Sequence, residues 1–194
     1  MADCAAAAVS RRDDAVRRAP LDTVQVEDNG GMNKQAVIRL AWAFALSFAT
    51  AGVGGALTDL GPWYFALKHP DWKPPDAVFG AIWSTIFTLA AVSAWLAWQA
   101  AATQGLRRRV AVLFGLNALL NIVWSGLYFT LQRPDWALLE VVALWLSIVA
   151  LMLGLWRLSR WASALLLPYL VWVSIASVLN WATVQLNGPF PGLG

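Results

Sequence analysis

Three rows of side chains in this sequence have the types and the spacing to grip a flat, apolar molecule. Asn117, Asn121, Trp124 and Tyr128 stand at offsets 0, 4, 7 and 11, which is one face of a helix. Tyr169, Trp172, Ala176 and Asn180 repeat the arrangement at offsets 0, 3, 7 and 11, and Phe79, Trp83 and Phe87 follow one another at spacings of four. Indole and phenyl faces stack on flat rings. An amide in an apolar setting needs a polar partner, found either across a helix interface, worth roughly 0.6 to 2 kcal/mol, or on a ligand. Aromatic stripes usually serve packing, so the rows leave two readings open: a packed seam or a lined cavity.

Reactive groups are otherwise sparse. The sequence offers no nucleophile–base pair, metal-ligand cluster or phosphate-binding loop. The one cysteine, Cys4, lies in a polar leader, so there is no disulfide framework. The one histidine, His69, sits between Lys68 and Pro70 and cannot build a metal site by itself; a surface role is expected. Asp59 falls at the end of the first apolar segment and Glu140 one to two turns into the fourth. Neither has a basic partner at helical spacing in mid-segment, as a proton relay or ion pathway would favour, and Glu140 is expected near the membrane interface.

The residues that would cap such a chamber lie between 63 and 83. Pro70, Pro74 and Pro75 remove backbone donors and hold the residues before them extended, so no helix passes through and a new one starts near Pro75. Trp63, Tyr64, Trp72, Phe79 and Trp83 load this loop and the helix it feeds with aromatics. They suit either an aromatic belt at a membrane surface or the lid of an apolar pocket with a few polar groups.

The elements that position these rows are membrane helices. Of the 194 residues 59% are apolar, only 13% are charged and thirteen are tryptophan, a composition foreign to a soluble domain. Hydrophobic segments run over about 37–59, 76–102, 109–131, 135–156 and 161–186, each long enough to cross a bilayer core. The expected fold is all-α: an integral membrane bundle of five transmembrane helices occupying 35–194, behind a disordered polar leader, 1–34, with no export or organelle-targeting signal. Charged turns are expected at Thr103–Arg109, Gln132–Asp135 and Arg157–Arg160, short enough to make neighbours antiparallel. An odd number of spans then puts the termini on opposite sides. Eleven basic residues (Arg11, Arg12, Arg17, Arg18, Lys34, Arg39, Arg107, Arg108, Arg109, Arg157, Arg160) fall on the N-terminal side against Lys68, Lys73 and Arg133 on the other, which predicts a cytoplasmic N-terminus and an outward-facing aromatic loop. In the first span Ser47, Ala51 and Gly55, with Gly52 and Gly54 beside them, suit close helix packing in the bundle or at a dimer seam.

Taken together these motifs resemble the TspO/MBR family, the translocator proteins or tryptophan-rich sensory proteins. The likeness rests on Trp63-Tyr64, on Pro70-x-Trp72-x-Pro74-Pro75 with Phe79 and Trp83, on Asn117-x-x-x-Asn121-x-x-Trp124 with Tyr128-Phe129, on Trp136-Ala137-Leu138, and on Pro168-Tyr169-x-x-Trp172 with Leu179-Asn180, and it runs from about Ala36 to Asn187. It implies a bacterial multi-pass membrane protein, a homodimer, that binds porphyrins such as protoporphyrin IX or haem and similar hydrophobic molecules as a receptor, sensor or translocator. It implies no required cofactor, porphyrin or haem being a ligand, and no nucleic-acid partner. The implied ligand-binding residues are Trp63, Trp72, Phe79, Trp83, Asn117, Asn121, Trp124, Trp172, Ala176 and Leu179. Because some bacterial relatives degrade protoporphyrin in light, the alternative is a membrane enzyme using nearby tryptophans, with Trp63, Trp72 and Trp172 as candidates. The chain also departs from the pattern. Asp71 and Ala77 stand where some bacterial members have tryptophan, and Phe87 where some have tyrosine. The run after Asn180 lacks the Tyr and Lys/Arg of the cholesterol motif, a weak motif in any case, which argues against the sterol binding of mitochondrial members.

Overall fold

The computed structural model describes residues 33–190, and among them every regular element is helical. Five spans form in the expected places: α1 (Lys34–Leu57); α3 (Asp76–Ala100); α4 (Gln104–Ser125), continued by a π-helical turn, Gly126–Thr130; α5 (Pro134–Trp156); and a broken fifth made of α6 (Arg160–Ala164) and α7 (Leu167–Asn187). All five are long and apolar enough to cross a membrane. The chain is thus a multi-pass membrane protein of five transmembrane helices. Of the expected disordered leader, 1–34, residues 1–32 lie outside the described part, and Lys34 already opens α1.

Local chemistry sets the helix boundaries. Pro75 caps α3 in an extended conformation, and Asp76 puts a carboxylate in its first turn. Pro134 opens α5 at the position where a missing N–H costs nothing. The expected turn over Thr103–Arg109 is shorter than the charges suggested. The Thr103 side chain accepts from the Leu106 N–H (3.3 Å) and starts α4 at Gln104, so all three arginines are helical. Arg107 remains stable there because its guanidinium lies over the Trp98 ring (5.9 Å) and donates to the Ala101 carbonyl (3.2 Å). The loop after α1 holds a short helix, α2 (Pro62–Ala66), which the aromatic crowding of that stretch had hidden from the sequence reading.

α5 is the centre of the bundle. Ala137, Val141, Leu144, Ile148, Leu151 and Leu155 are all buried along it. Val141, Leu144 and Ile148 join Ile86, Tyr169, Trp172 and Val173 in one cluster, while Leu151 and Leu155 meet Ala97, Val110, Ala162 and Leu166 in another. α1 is the peripheral span, with Gly54 its one buried residue. Lipid is as apolar as leucine, so no hydrophobic gain drives such a helix onto the bundle, and van der Waals packing together with polar contacts holds it. Four polar contacts do so along its length, one of them from Arg39, which donates to Gln99 Oε1 (2.8 Å). Trp95 donates to the Ala36 carbonyl (3.0 Å), Ser47 to the Phe87 carbonyl (2.7 Å), and Thr130 to the Leu57 carbonyl (3.0 Å). The Asn180 amide lies between the Pro134 carbonyl (3.0 Å) and the Leu138 N–H (3.1 Å), pinning α7 to the first turn of α5 with its nitrogen facing the carbonyl.

Candidate functional site

Between the loop-side halves of α1, α3, α4 and α7 lies a cavity of about 730 Å³, within the range of small-molecule sites. α3 contributes Phe79, Trp83 and Phe87; α4 contributes Asn121, Trp124 and Ser125; α7 contributes Trp172, Ala176 and Leu179. The wall rings brace one another. Phe79 meets Trp172 edge to face (5.4 Å), Trp83 stacks on Phe87 (5.6 Å) and abuts Tyr169 (6.1 Å), and Trp124 leans on Tyr128 (5.1 Å). This bracing fixes the rotamers of the lining.

The fourth wall, on α1, is built mostly of small residues between Phe48 and Thr58. Ala51, Gly52, Gly54 and Gly55 of α1 face the hollow, as does Gly80 of α3. A Cβ added at Gly52, Gly55 or Gly80 would meet nothing within 4 Å, whereas one at Gly54 would touch Ser125 Oγ at 3.5 Å. The small-residue row therefore only partly serves the close packing expected of it. Ser47 and Gly54 make helix contacts, and the other glycines leave space.

The π-helical turn supplies two more rings. Leu131 N–H reaches back to the Gly126 carbonyl (2.8 Å), and the extra residue in the turn lets Tyr128 and Phe129 both line the cavity. Polar groups are few and placed. Asn121 donates to the Tyr169 hydroxyl (3.2 Å). The indole N–H groups of Trp124 and Trp172 are buried and have no hydrogen-bond partner among the described residues. A buried donor without a partner costs about 1–3 kcal/mol, so these two favour any ligand that brings an acceptor.

The mouth is built from the proline-rich loop. Tyr64, buried beneath it, donates to Asp76 Oδ1 (2.7 Å), and Lys73 makes an ion pair with the same oxygen. The ammonium also sits 5.5 Å from the Tyr64 ring and 5.7 Å from the Phe79 ring. Burial, reinforced by the Asp76 carboxylate, pushes the Tyr64 hydroxyl well above the usual phenol range. His69 is not the surface residue expected. It is half-buried against the Tyr64 ring (5.2 Å) and lines the cavity. Burial first and the Lys73 charge second lower its pKa, outweighing the Tyr64 backbone and Asp76. Asn187 at the end of α7 holds the loop down. Its Oδ1 accepts the Lys68 N–H (2.8 Å) and its Nδ2 donates to the Lys68 carbonyl (2.8 Å).

Of the ten site residues expected from the sequence, Phe79, Trp83, Asn121, Trp124, Trp172, Ala176 and Leu179 line this one cavity. Trp63 does not; it packs edge-on behind Tyr128 (6.3 Å). Trp72 is 50% exposed and does not line the cavity either. Asn117 lies a turn away from Asn121, donates to Ser147 Oγ (2.8 Å), and faces a second hollow. The sequence reading missed Lys73, Asp76 and the role of His69. The i,i+3 spacing of Lys73 and Asp76 across the Pro74-Pro75 pair was the available signal. Glu140 lies half-buried on α5, lines neither hollow, and has two buried carboxyl oxygens without a hydrogen-bond partner among the described residues.

Comparison with known proteins bears on this arrangement. The family model described as TspO/MBR family matches residues 41–186. The chain is 38% identical over 161 residues to the tryptophan-rich protein TspO of Chlorobaculum tepidum, covering 80% of this chain and 99% of that protein. It is 30% identical to the tryptophan-rich sensory protein of Cereibacter sphaeroides, over 77% of this chain and 95% of that one. It is 28% identical to the human translocator protein, over 67% of this chain and 78% of its relative.

Proposed function

The chain belongs to the TspO/MBR family, and from that premise we propose that it is a membrane receptor, sensor or translocator binding porphyrins such as protoporphyrin IX or haem, and similar hydrophobic molecules, beneath its first loop. The observation that carries this reading is the 730 Å³ cavity, aromatic on three sides and open in volume on the glycine side. A flat macrocycle would lie against Trp83, Trp124 and Trp172. The unpartnered indole N–H groups and Asn121 would meet its polar atoms, and Lys73 and His69 at the mouth would meet acidic substituents.

The same premise carries three further proposals. The basic residues crowd the α1 N-terminal side, which supports a cytoplasmic N-terminus in a bacterial membrane and an outward-facing loop. Val112, Leu116, Leu119 and Val123 form an exposed apolar row on α4, which supports a homodimer through that face. Trp172 and Trp124 stand where a bound porphyrin would touch them, which supports light-dependent degradation as the second reading; Trp63 and Trp72 do not line the cavity.

The test is a titration of purified protein with protoporphyrin IX, read by tryptophan fluorescence. Saturable quenching that Trp83→Ala and Gly80→Leu both weaken supports the reading, and quenching that is unsaturable or indifferent to both substitutions ends it. Illuminating the complex then separates binding from degradation, since decay of the porphyrin bands in a Trp124→Phe, Trp172→Phe variant must be slower if those indoles take part.

A further inference from the structure

A second hollow of about 490 Å³ lies in the other half of the bundle, between α1, α3 and α4. Along α1 it runs from Arg39 to Thr50, a depth of roughly 16 Å at 1.5 Å per residue. Its body is apolar and aromatic, with Trp95 and Phe114 among its walls. Its inner end is closed where Asn121 donates to Tyr169. Trp42 and Leu46 line it and yet are 64% and 66% exposed, so its long side opens laterally, toward the acyl chains of a surrounding bilayer.

The outer end is cationic. Arg39 donates to Gln99 Oε1 (2.8 Å) and Gln35 Oε1 (3.3 Å), both neutral acceptors, and among the described residues no carboxylate pairs with it. A guanidinium has five N–H donors, so two neutral acceptors leave both charge and donors to spare. The Arg107 guanidinium lies over the ring of Trp98, another wall residue, and brings a second positive charge to the same end.

We propose that this hollow is a separate binding site for an anionic amphiphile. A single apolar chain would enter between Trp42 and Leu46 and lie along α1, and its carboxylate or phosphate head would be held by Arg39. The shared chemistry is an anionic head on a hydrocarbon chain, whether a free fatty acid or a leaflet phospholipid. The site is independent of the loop-side cavity except for the Phe87 and Asn121 side chains, which line both.

The experiment places the full chain in phosphatidylcholine nanodiscs at pH 8. It is titrated with a doxyl-labelled fatty acid, a doxyl-chain phosphatidylglycerol, or a doxyl-chain phosphatidylcholine. The local signal is tryptophan quenching lost in a Trp42→Phe, Trp95→Phe variant. At least one anionic probe should half-saturate at a mole fraction about fivefold below the zwitterionic probe, the effect of one basic residue on an anionic lipid. The anionic probe that does so identifies the source. Arg39→Gln should erase that preference. Gly115→Leu, at a wall position where an added Cβ meets nothing within 4 Å, should weaken all chain binding by filling the hollow. Protoporphyrin titration should be unchanged in both variants, which keeps this result apart from that of the loop-side cavity. Equal half-saturation by all three probes, or parent-like anionic binding in Arg39→Gln and Gly115→Leu, overturns the proposal.

Discussion

Replacing Asn187 by alanine should loosen the loop over the cavity without disturbing the bundle. The Asn187 amide exchanges two hydrogen bonds with the backbone of Lys68, both at 2.8 Å, across 119 residues of sequence. Each such bond contributes about 0.5–1.5 kcal/mol net, so losing the pair favours the open loop by about 1–3 kcal/mol. At 1.4 kcal/mol per tenfold, that multiplies the open population by roughly 5 to 150. The third Asn187 bond, to the Thr183 carbonyl (2.8 Å), stays within its own helix and adds little to loop closure. Amide hydrogen exchange over residues 61–75 should rise by that factor while exchange in α5, whose face is buried, does not change. If the loop gates the cavity, porphyrin dissociation measured by stopped-flow fluorescence should accelerate by a similar factor. Unchanged loop exchange refutes the latch. Faster exchange with an unchanged dissociation rate refutes the gate and leaves the latch standing.

Three other outcomes follow. Gly80→Leu places a side chain where an added Cβ meets nothing within 4 Å; thermal stability should hold or rise by up to about 1 kcal/mol from the helix propensity gained, while porphyrin affinity falls at least tenfold on titration. Asn121→Leu removes the bond to Tyr169 (3.2 Å) and should cost about 0.6–1.7 kcal/mol in a detergent-unfolding assay, with weaker ligand binding beside it. His69 is held below its ordinary pKa of 6.5, so the folded loop binds fewer protons than the unfolded chain. Its contribution to stability is therefore complete above pH 6.5 and is lost as the pH falls from there through the lowered value. Loop exchange should rise between pH 7.5 and 5.5 more steeply in the parent than in His69→Gln, and equal slopes would show that His69 plays no part.

The fold was legible because membrane helices announce themselves by length and composition, and the proline trio located the loop without any tertiary knowledge. Boundaries were less so. The arginines at 107–109 looked like a turn because charge and span interior rarely coincide, but the Thr103 cap and the Trp98 ring make a helical start for them. Helical spacing placed Asn121, Trp124, Trp172 and Ala176 on faces that do meet in one hollow. It could not separate Asn117 from Asn121, since one turn of helix is the difference between two cavities. Trp63 and Trp72 show the same limit in the loop, where no period governs which side a ring takes. His69 was misjudged because burial in a loop depends on what the loop folds over, here the Tyr64 ring.

That two hollows persist in so apolar a bundle has a physical cause. In water, an empty space between helices is closed by the gain from burying apolar surface, but against lipid that gain is absent. Van der Waals packing and directional contacts set the spacing instead. α1 is fastened by Trp95 at Ala36, by Arg39 at Gln99, by Ser47 at Phe87 and by Thr130 at Leu57. Between the fastenings much of its surface is small or exposed, and a Cβ added at Gly52 or Gly55 would meet nothing within 4 Å. The Ser47 contact falls between the two openings, and Phe87, its acceptor, lines both. The hydrogen bond that divides one hollow from the other is thus also the middle fastening of α1. A Ser47→Ala change should let the two spaces communicate, and exchange at the α1 amides around residue 47 should rise before that at either end. If the ends loosen first, the spacing of α1 is set by its termini and the middle contact is incidental.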